Sequence, residues 1–380
     1  MDKSIKLIRA ANVPSSLNTF LYGLLGKLAN EYEVIALASP GKELSEIGER
    51  EGVRTIAINI ERRPSVIKDL VSLVKLIRCF RKEKPDIVHS MSAKCGLLCM
   101  TAAWITRVPH RIHSFTGLAF PTATGFSKVI LKTTEYITCA CANHLLPEGQ
   151  GVKNDLINNH ITKKELTVLG NGNLRGVDME KYSRRKEVTE LAGTIKKDDL
   201  FTFIFVGRLV RDKGINELVS AFVRLCDKIP QTRLILVGHQ EANLDPIKPE
   251  TIELIQKCHS IEAPGAKYND ELLAYYAASD CFVFPSYREG FPNVVLEACA
   301  MELPCIVTDI NGSNEIIQDG INGIIIPTKN EDAIYNAMRK MLTNRDMAKA
   351  MSSKARQIVA DKWEQSFVQH CLIDFYHSIL

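Results

Sequence analysis

Short apolar runs alternate with longer amphipathic stretches along almost the whole chain. In the first half the runs are IKLIRAA, EVIALAS, RTIAINI, DIVHS and RIHSF; in the second they are LFTFIFV, RLILVG, CFVFP, PCIVTD and GIIIP. Runs this short and this apolar predict strands of parallel sheets, and the stretches between them predict the covering helices. SVIKDLVSLVKLIRCFRKEK shows the helical pattern: Val66, Leu70, Leu73, Val74 and Ile77 recur at the spacing of a 3.6-residue turn.

The rhythm falters at KKELTVLGNGNLRGVDMEKY, where Gly170, Gly172 and Gly176 stand among Asn171 and Asn173. It then resumes. A boundary near residues 165–180 divides the 380 residues into two parts of ordinary domain size, taken as 1–170 and 171–362. The expected fold class is α/β, with two Rossmann-like, doubly wound domains facing each other across a cleft. Ligands of such sheets bind at the carboxyl ends of the strands. The aromatic-rich tail, KWEQSFVQHCLIDFYHSIL, predicts a last amphipathic helix.

Composition narrows the class. No apolar run reaches the roughly 18 residues that span a bilayer. MDKSIKLIRAANVP passes into a strand without the apolar segment of a secretory signal, so a cytoplasmic protein is expected. The eleven cysteines are scattered, odd in number and mostly flanked by apolar residues, which argues for reduced, buried thiols over a disulfide framework or a zinc site. Residues 1–180 hold 24 lysines and arginines against 17 acids, whereas the remainder holds 24 against 27. The first half is therefore expected to meet something anionic, such as a phospholipid surface or a phosphorylated acceptor. The basic residues lack the interleaved aromatics of a nucleic-acid module, and none is expected as a partner.

Two segments carry chemistry. In VGRLVRDKGINELVSAF a strand ends at Gly207, Arg208 and Lys213 follow, and a helix begins. Glycine lets backbone approach a ligand, free helix N–H groups favour an anion, and the two cations can converge on it. Neither a P-loop nor a dinucleotide fingerprint is present. In SYREGFPNVVLEACA, Pro292 suits the first turn of a helix. Gly290 to Asn293 would offer backbone N–H groups there, to a phosphate or a sugar hydroxyl. Glu289 and Glu297 are eight residues apart, about 12 Å along an axis if helical throughout. Carboxylates so far apart do not flank one scissile bond. They suit the two ends of an extended ligand such as a nucleotide sugar.

The pairing of GRLVRDKG with REGFPNVVLEA, with its acid-x7-acid spacing, resembles the retaining glycosyltransferases of family 4. VPSSLNTFLYGLLGKL, DIVHSMSAKCGLL, RIHSFTGLAF, GNGNLRGVD and TDINGSNEIIQDGINGIIIP are similar to members that build bacterial capsule and O-antigen polysaccharides. The resemblance implies the GT-B fold, with residues 363–380 crossing back to the first domain. That first domain would bind the acceptor, and the second the donor. It implies that Arg208 and Lys213 bind the donor diphosphate, with Gly207 at their turn and Glu297 on the ribose. Glu289 would contact the donor sugar, and Gly290, Phe291, Pro292, Asn293 and Val294 would line the donor site.

A nucleotide-sugar donor, UDP-linked in most similar enzymes, is implied, with no metal or other cofactor. So is a glycan acceptor on a polyprenyl diphosphate, with peripheral association at the inner membrane face. The chain departs from the family at Thr116-Gly117, where many relatives carry His-Gly. Val13-Pro14-Ser15-Ser16 also replaces their glycine-rich loop. Ser15, Ser16, His89, His113, Thr116 and Gly117 are therefore the candidate sugar or acceptor contacts. Alternatives are a nucleotide-sugar epimerase of the same fold and a non-catalytic subunit of a polysaccharide-synthesis complex.

Overall fold

The computed structural model describes residues 5–61, 65–241 and 245–380. Among them, twelve strands form two parallel six-stranded sheets. Internal contacts divide the chain into one unit of residues 1–175 with 368–380, and a second of residues 176–367.

In the first unit the strands are β1 (Lys6–Ala10), β2 (Glu33–Ala38), β3 (Arg54–Ala57), β4 (Ile87–Met91), β5 (His110–Phe115) and β6 (His144–Pro147). The intervening helices are α1 (Pro14–Leu21), α2 (Leu24–Leu28), α3 (Lys42–Glu51), α4 (Val66–Glu83), α5 (Ala93–Ile105) and α6 (Gly125–Cys141), with α7 (Gln150–Asn158) after β6. The sheet order is β3-β2-β1-β4-β5-β6. Because the order reverses between β1 and β4, the loops leaving those two strands open a crevice at their carboxyl ends. One face of the sheet packs Leu76, Phe80, Cys95 and Cys99 from α4 and α5. The other packs Leu17, Leu25 and Ile47 from the first three helices, together with Leu372 and Tyr376 near the C-terminus.

The second unit repeats the scheme. Its strands are β7 (Phe201–Val206), β8 (Thr232–Val237), β9 (Ile261–Gly265), β10 (Cys281–Phe284), β11 (Cys305–Thr308) and β12 (Gly323–Ile326). Its helices are α8 (Lys186–Ile195), α9 (Ile215–Lys228), α10 (Pro249–Lys257), α11 (Asn269–Ala277), α12 (Asn293–Ala300), α13 (Ser313–Ile316), α14 (Glu331–Thr343) and α15 (Arg345–Trp363); α16 (Gln365–Ile379) ends the chain. The order β12-β11-β10-β7-β8-β9 places its reversal between β7 and β10. Every residue of these two strands is buried, and the stacked rings of Phe205 and Phe284 lie 5.8 Å apart. Each such ring contributes about 1.5–3 kcal/mol of burial, which holds the two strand ends in register.

The apolar runs mark ten of the twelve strands, and the two without such a run are both at a sheet edge. HLLP of β6 and IEAPG of β9 are short and contain proline, which an edge tolerates because one side of the strand needs no partner. In α4 the apolar spacing is helical, but the buried positions are Ser72, Leu76 and Phe80. Val66, Leu70 and Val74 face outward. All eleven cysteines are free thiols, and seven of them are buried.

Candidate active site

β7 and β10 are hydrogen-bonded neighbours, with Cys281 opposite Phe203, so their loops leave the sheet side by side. After β7 the chain passes Gly207 and Arg208 into a single 3-10 turn, Arg211–Lys213, and Gly214 then starts α9 in the left-handed region at φ 72°. A side chain at Gly214 would fall on the carbonyl of Pro285. The two loops therefore touch through glycine backbone.

Across that contact Lys213 Nζ bonds Glu289 Oε1, and both side chains are about 15% exposed. Ser286 Oγ donates to the same oxygen at 2.7 Å. Ser286 is itself fully buried, and its carbonyl accepts from Thr308 Oγ1 at the end of β11. Asp212 braces the pair from the other loop: its carbonyl accepts from the Tyr287 amide at 2.8 Å, and its carboxylate takes Arg288 at 3.1 Å. The Lys213 ammonium also stands 5.3 Å over the Phe284 ring. Ser286, Asp212 and Thr308 escape motif reading because nothing in their spacing distinguishes them from ordinary loop residues.

Arg208 is placed differently. It is half exposed and pairs with Glu241 at 2.9 Å, so the two cations are held by separate acids. Glu289 also does not lie on a helix. Residues 289–292 are loop, Pro292 is the N-cap rather than a residue of the first turn, and α12 begins at Asn293. The 12 Å spacing of a continuous helix therefore does not apply. Gly290, Phe291 and Pro292 are buried beneath Gly312, where a side chain would come within 2.6 Å of the Gly290 carbonyl. Asn293 and Val294 open α12 half-buried.

Glu297 is buried in α12 and accepts from the Tyr182 hydroxyl at 2.9 Å. Tyr182 is held by Arg356 of α15, which donates to its carbonyl at 2.6 Å and to that of Met179 at 2.7 Å. Tyr182 lies just past the glycine-rich break, and an aromatic there was the one available signal. Among the described residues no group of three or more His, Cys, Asp or Glu side chains is placed to hold a metal ion.

In the first unit the candidates separate. Thr116 and Gly117 follow β5 directly and are half-buried at its carboxyl end. Ser15 and Ser16 are not in a loop: Pro14 opens α1, and the two serines lie in its first turn. Asn12 does the loop's work. Its Oδ1 accepts from Ser92 Oγ at 2.7 Å and from the Cys95 amide at 3.0 Å, and its carbonyl takes Ser39 Oγ at 2.6 Å. The ends of β1, β2 and β4 are thereby tied together.

His89 and His113 do not reach a strand end. His89 is wholly buried, with Nε2 2.7 Å from Ser114 Oγ and Nδ1 2.7 Å from the Tyr376 hydroxyl of α16. Burial, aided by the neighbouring Arg9 guanidinium, holds its pKa well below the usual imidazole value. His113 points the other way, onto Gly96 of α5, with Nδ1 2.9 Å from Ser90 Oγ. Burial pushes it down to about 3. Strand alternation sends the two rings to opposite faces, and both are structural.

Residues 17–173 match the family described as Glycosyltransferase Family 4, and residues 189–358 match glycosyl transferases group 1. The capsular polysaccharide biosynthesis glycosyltransferase CapM of Staphylococcus aureus is 30% identical over 92% of this chain and 90% of its own length. The chain belongs to glycosyltransferase family 4. An Escherichia coli UDP-Gal:alpha-D-GlcNAc-diphosphoundecaprenol alpha-1,3-galactosyltransferase is likewise 30% identical, over 79% of this chain and 77% of its own. Among solved structures, Anabaena HepE in complex with UDP superposes with a TM-score of 0.82 at 15% identity, covering 98% of this chain and 100% of that one. This family 4 glycosyltransferase thus has the GT-B architecture, and it is a transferase.

Proposed function

We propose that the protein is a retaining glycosyltransferase that moves a sugar from a nucleotide sugar, UDP-linked by first expectation, to a glycan acceptor carried on a lipid diphosphate. Its place would be the assembly of a bacterial surface polysaccharide. The observation that carries this reading is the Lys213–Glu289 pair at the β7–β10 reversal, where a doubly wound sheet takes its ligand. The relatives support the substrate classes: one is named for capsule biosynthesis, one for a UDP-galactose donor and a diphosphoundecaprenol acceptor, and the superposed HepE holds UDP.

The ion pair defines what the donor must do. A diphosphate arriving at the turn offers Lys213 a stronger partner than one carboxylate, and Glu289 is released to accept hydroxyls of the donor sugar. Arg208, freed from Glu241, closes on the same phosphates. Both cations then stabilise the charge that develops on the leaving diphosphate, with no metal required. Glu297, fixed by Tyr182, takes the ribose hydroxyls. The departing phosphate helps deprotonate the acceptor, which attacks on the same face. Thr116 and Gly117 stand for the acceptor side.

Titration with UDP, GDP and ADP in the presence of EDTA tests the donor site. One nucleoside diphosphate should raise the unfolding free energy by about 2.7 kcal/mol at a hundredfold excess over its dissociation constant, and the midpoint with it. The matching nucleotide sugar should then transfer to a polyprenyl-diphosphate glycan. No shift with any of the three, or binding only when a divalent cation is added, would overturn the site as drawn.

A further inference from the structure

The carboxylate of Glu289 is held by one oxygen. Lys213 Nζ and Ser286 Oγ both bond Oε1, whereas Oε2 has no bonded partner among the described residues. The side chain keeps 16% of its surface exposed, so Oε2 is the oxygen left to a ligand. Of the two donors on Oε1, only Ser286 is fixed. It is fully buried, and its hydroxyl sits among three acceptors: Glu289 Oε1 at 2.7 Å, the Arg288 carbonyl at 3.2 Å and the Asp212 carbonyl at 3.3 Å. Its single proton goes to the carboxylate, because that bond is the shortest and is charge-assisted. The Asp212 carbonyl already takes the Tyr287 amide at 2.8 Å. Lys213 carries its ammonium on a long, rotatable stem and can turn to another anion.

Thr308 fixes Ser286 in turn. The ladder between β10 and β11 ends at Phe284 opposite Val307, so the Ser286 carbonyl lies beyond its last pair. The Thr308 hydroxyl, wholly buried at the end of β11, donates to that carbonyl in place of a strand amide. A buried carbonyl left unpaired there would be costly, so the bond holds the Ser286 peptide in one orientation. A chain of side chains thus runs from the sheet through Thr308 and Ser286 to Glu289.

We propose that Ser286, anchored by Thr308, is a positioning residue: it keeps Glu289 Oε1 engaged when a donor diphosphate draws Lys213 away, so that Oε2 stays turned to the hydroxyls of the donor sugar. This rests on the reading of Glu289 as the donor-sugar contact. Without Ser286 the carboxylate rotates about its last bond, a broad two-fold torsion, and follows the ammonium. The diphosphate contacts do not pass through Ser286, so its loss falls on turnover and not on nucleotide binding.

The test follows UDP release by the full chain from UDP-glucose, UDP-galactose, UDP-N-acetylglucosamine and UDP-N-acetylgalactosamine, with a polyprenyl-diphosphate glycan as acceptor. Variants are compared on the donor that the wild type turns over fastest. Ser286→Ala should lower kcat about ten- to a hundredfold, the worth of one bond to a charged acceptor, with KM and UDP affinity within about threefold. Thr308→Val should lower kcat in the same manner by about threefold or more, and Thr308→Ser, which keeps the hydroxyl, should restore it. Ser286→Ala added to Glu289→Gln should cost less than about twofold further, since both act through one carboxylate. Undiminished turnover in Ser286→Ala overturns the proposal, as does UDP affinity falling in step with kcat. So do losses that multiply in the double variant, or a Thr308→Ser as slow as Thr308→Val. Full turnover in Glu289→Gln, or no UDP release by the wild type from any of the four donors, overturns the donor-sugar reading itself, and this inference falls with it.

Discussion

Lys213 and Glu289 are 76 residues apart in the chain, yet the ammonium of one bonds the carboxylate oxygen of the other, with Ser286 donating to that same oxygen. Three polar groups converge there because β7 and β10 are sheet neighbours and Gly214 lets their loops meet.

Breaking the pair from either side should have different consequences. Glu289→Gln keeps the size and loses the charge, so turnover should fall at least about a hundredfold with UDP affinity within about threefold. Lys213→Ala should weaken nucleoside diphosphate binding by about tenfold or more, and nucleoside binding little. Calorimetric titration of both ligands separates these outcomes, and equal losses for the two would remove the diphosphate contact.

Tyr182→Phe removes one hydroxyl and leaves the ring. The buried Glu297 carboxylate then loses a donor, worth about 1.5–3 kcal/mol for a charged acceptor. UDP binding should weaken by several-fold to a hundredfold, while affinity for inorganic diphosphate should stay. Parallel titrations with the two ligands check whether Glu297 serves the ribose end.

Gly214→Ala should cost more than 2 kcal/mol, because its φ of 72° disfavours a side chain and the added carbon has the Pro285 carbonyl in its way. Urea unfolding should register the loss, and UDP protection should disappear with it. Gly193→Ala makes the control: it lies in α8 with open space around it and should be neutral or stabilising.

Two buried groups should give stability opposite dependences on pH. His113 stays neutral in the folded state down to about 3, whereas the unfolded imidazole binds a proton near 6.5. Its contribution is thus present at neutral pH and lost as pH falls from about 6.5 toward 3. Burial pushes the Glu135 carboxyl up to about 7 against about 4.5 unfolded. Its neutral form is fully stabilising below about 4.5, and that stability is lost as pH rises through 7. Denaturation series of His113→Leu and Glu135→Gln should each flatten the corresponding limb by about 1.4 kcal/mol per pH unit.

α16 is fastened by a small polar cluster. The Tyr376 hydroxyl accepts from Arg9 at 2.8 Å and meets His89 at 2.7 Å, all three groups buried. Tyr376→Phe leaves Arg9 one partner short, which should cost about 1–3 kcal/mol. Hydrogen exchange should show α16 opening before the rest of its unit.

Much of this molecule was legible in the order of its residues. Ten strands could be read from apolar runs, most of them because a strand buried on both faces has no choice but to be apolar there, whereas β3 at the sheet edge is largely exposed. Gly207 after β7 and the acid-x7-acid segment after β10 could be read because turns and helix starts demand particular residues. Tertiary structure decided what faces what. Periodicity shows that a stripe exists but not whether anything covers it, so α4 turned an apolar face outward. Histidine spacing could not show that neighbouring strands would bury His89 and His113. The edge strands β6 and β9, short and holding a proline, carried too little pattern to be seen. And Lys213 met Glu289 because the crossover order of the sheet, which no local stretch encodes, set β10 beside β7.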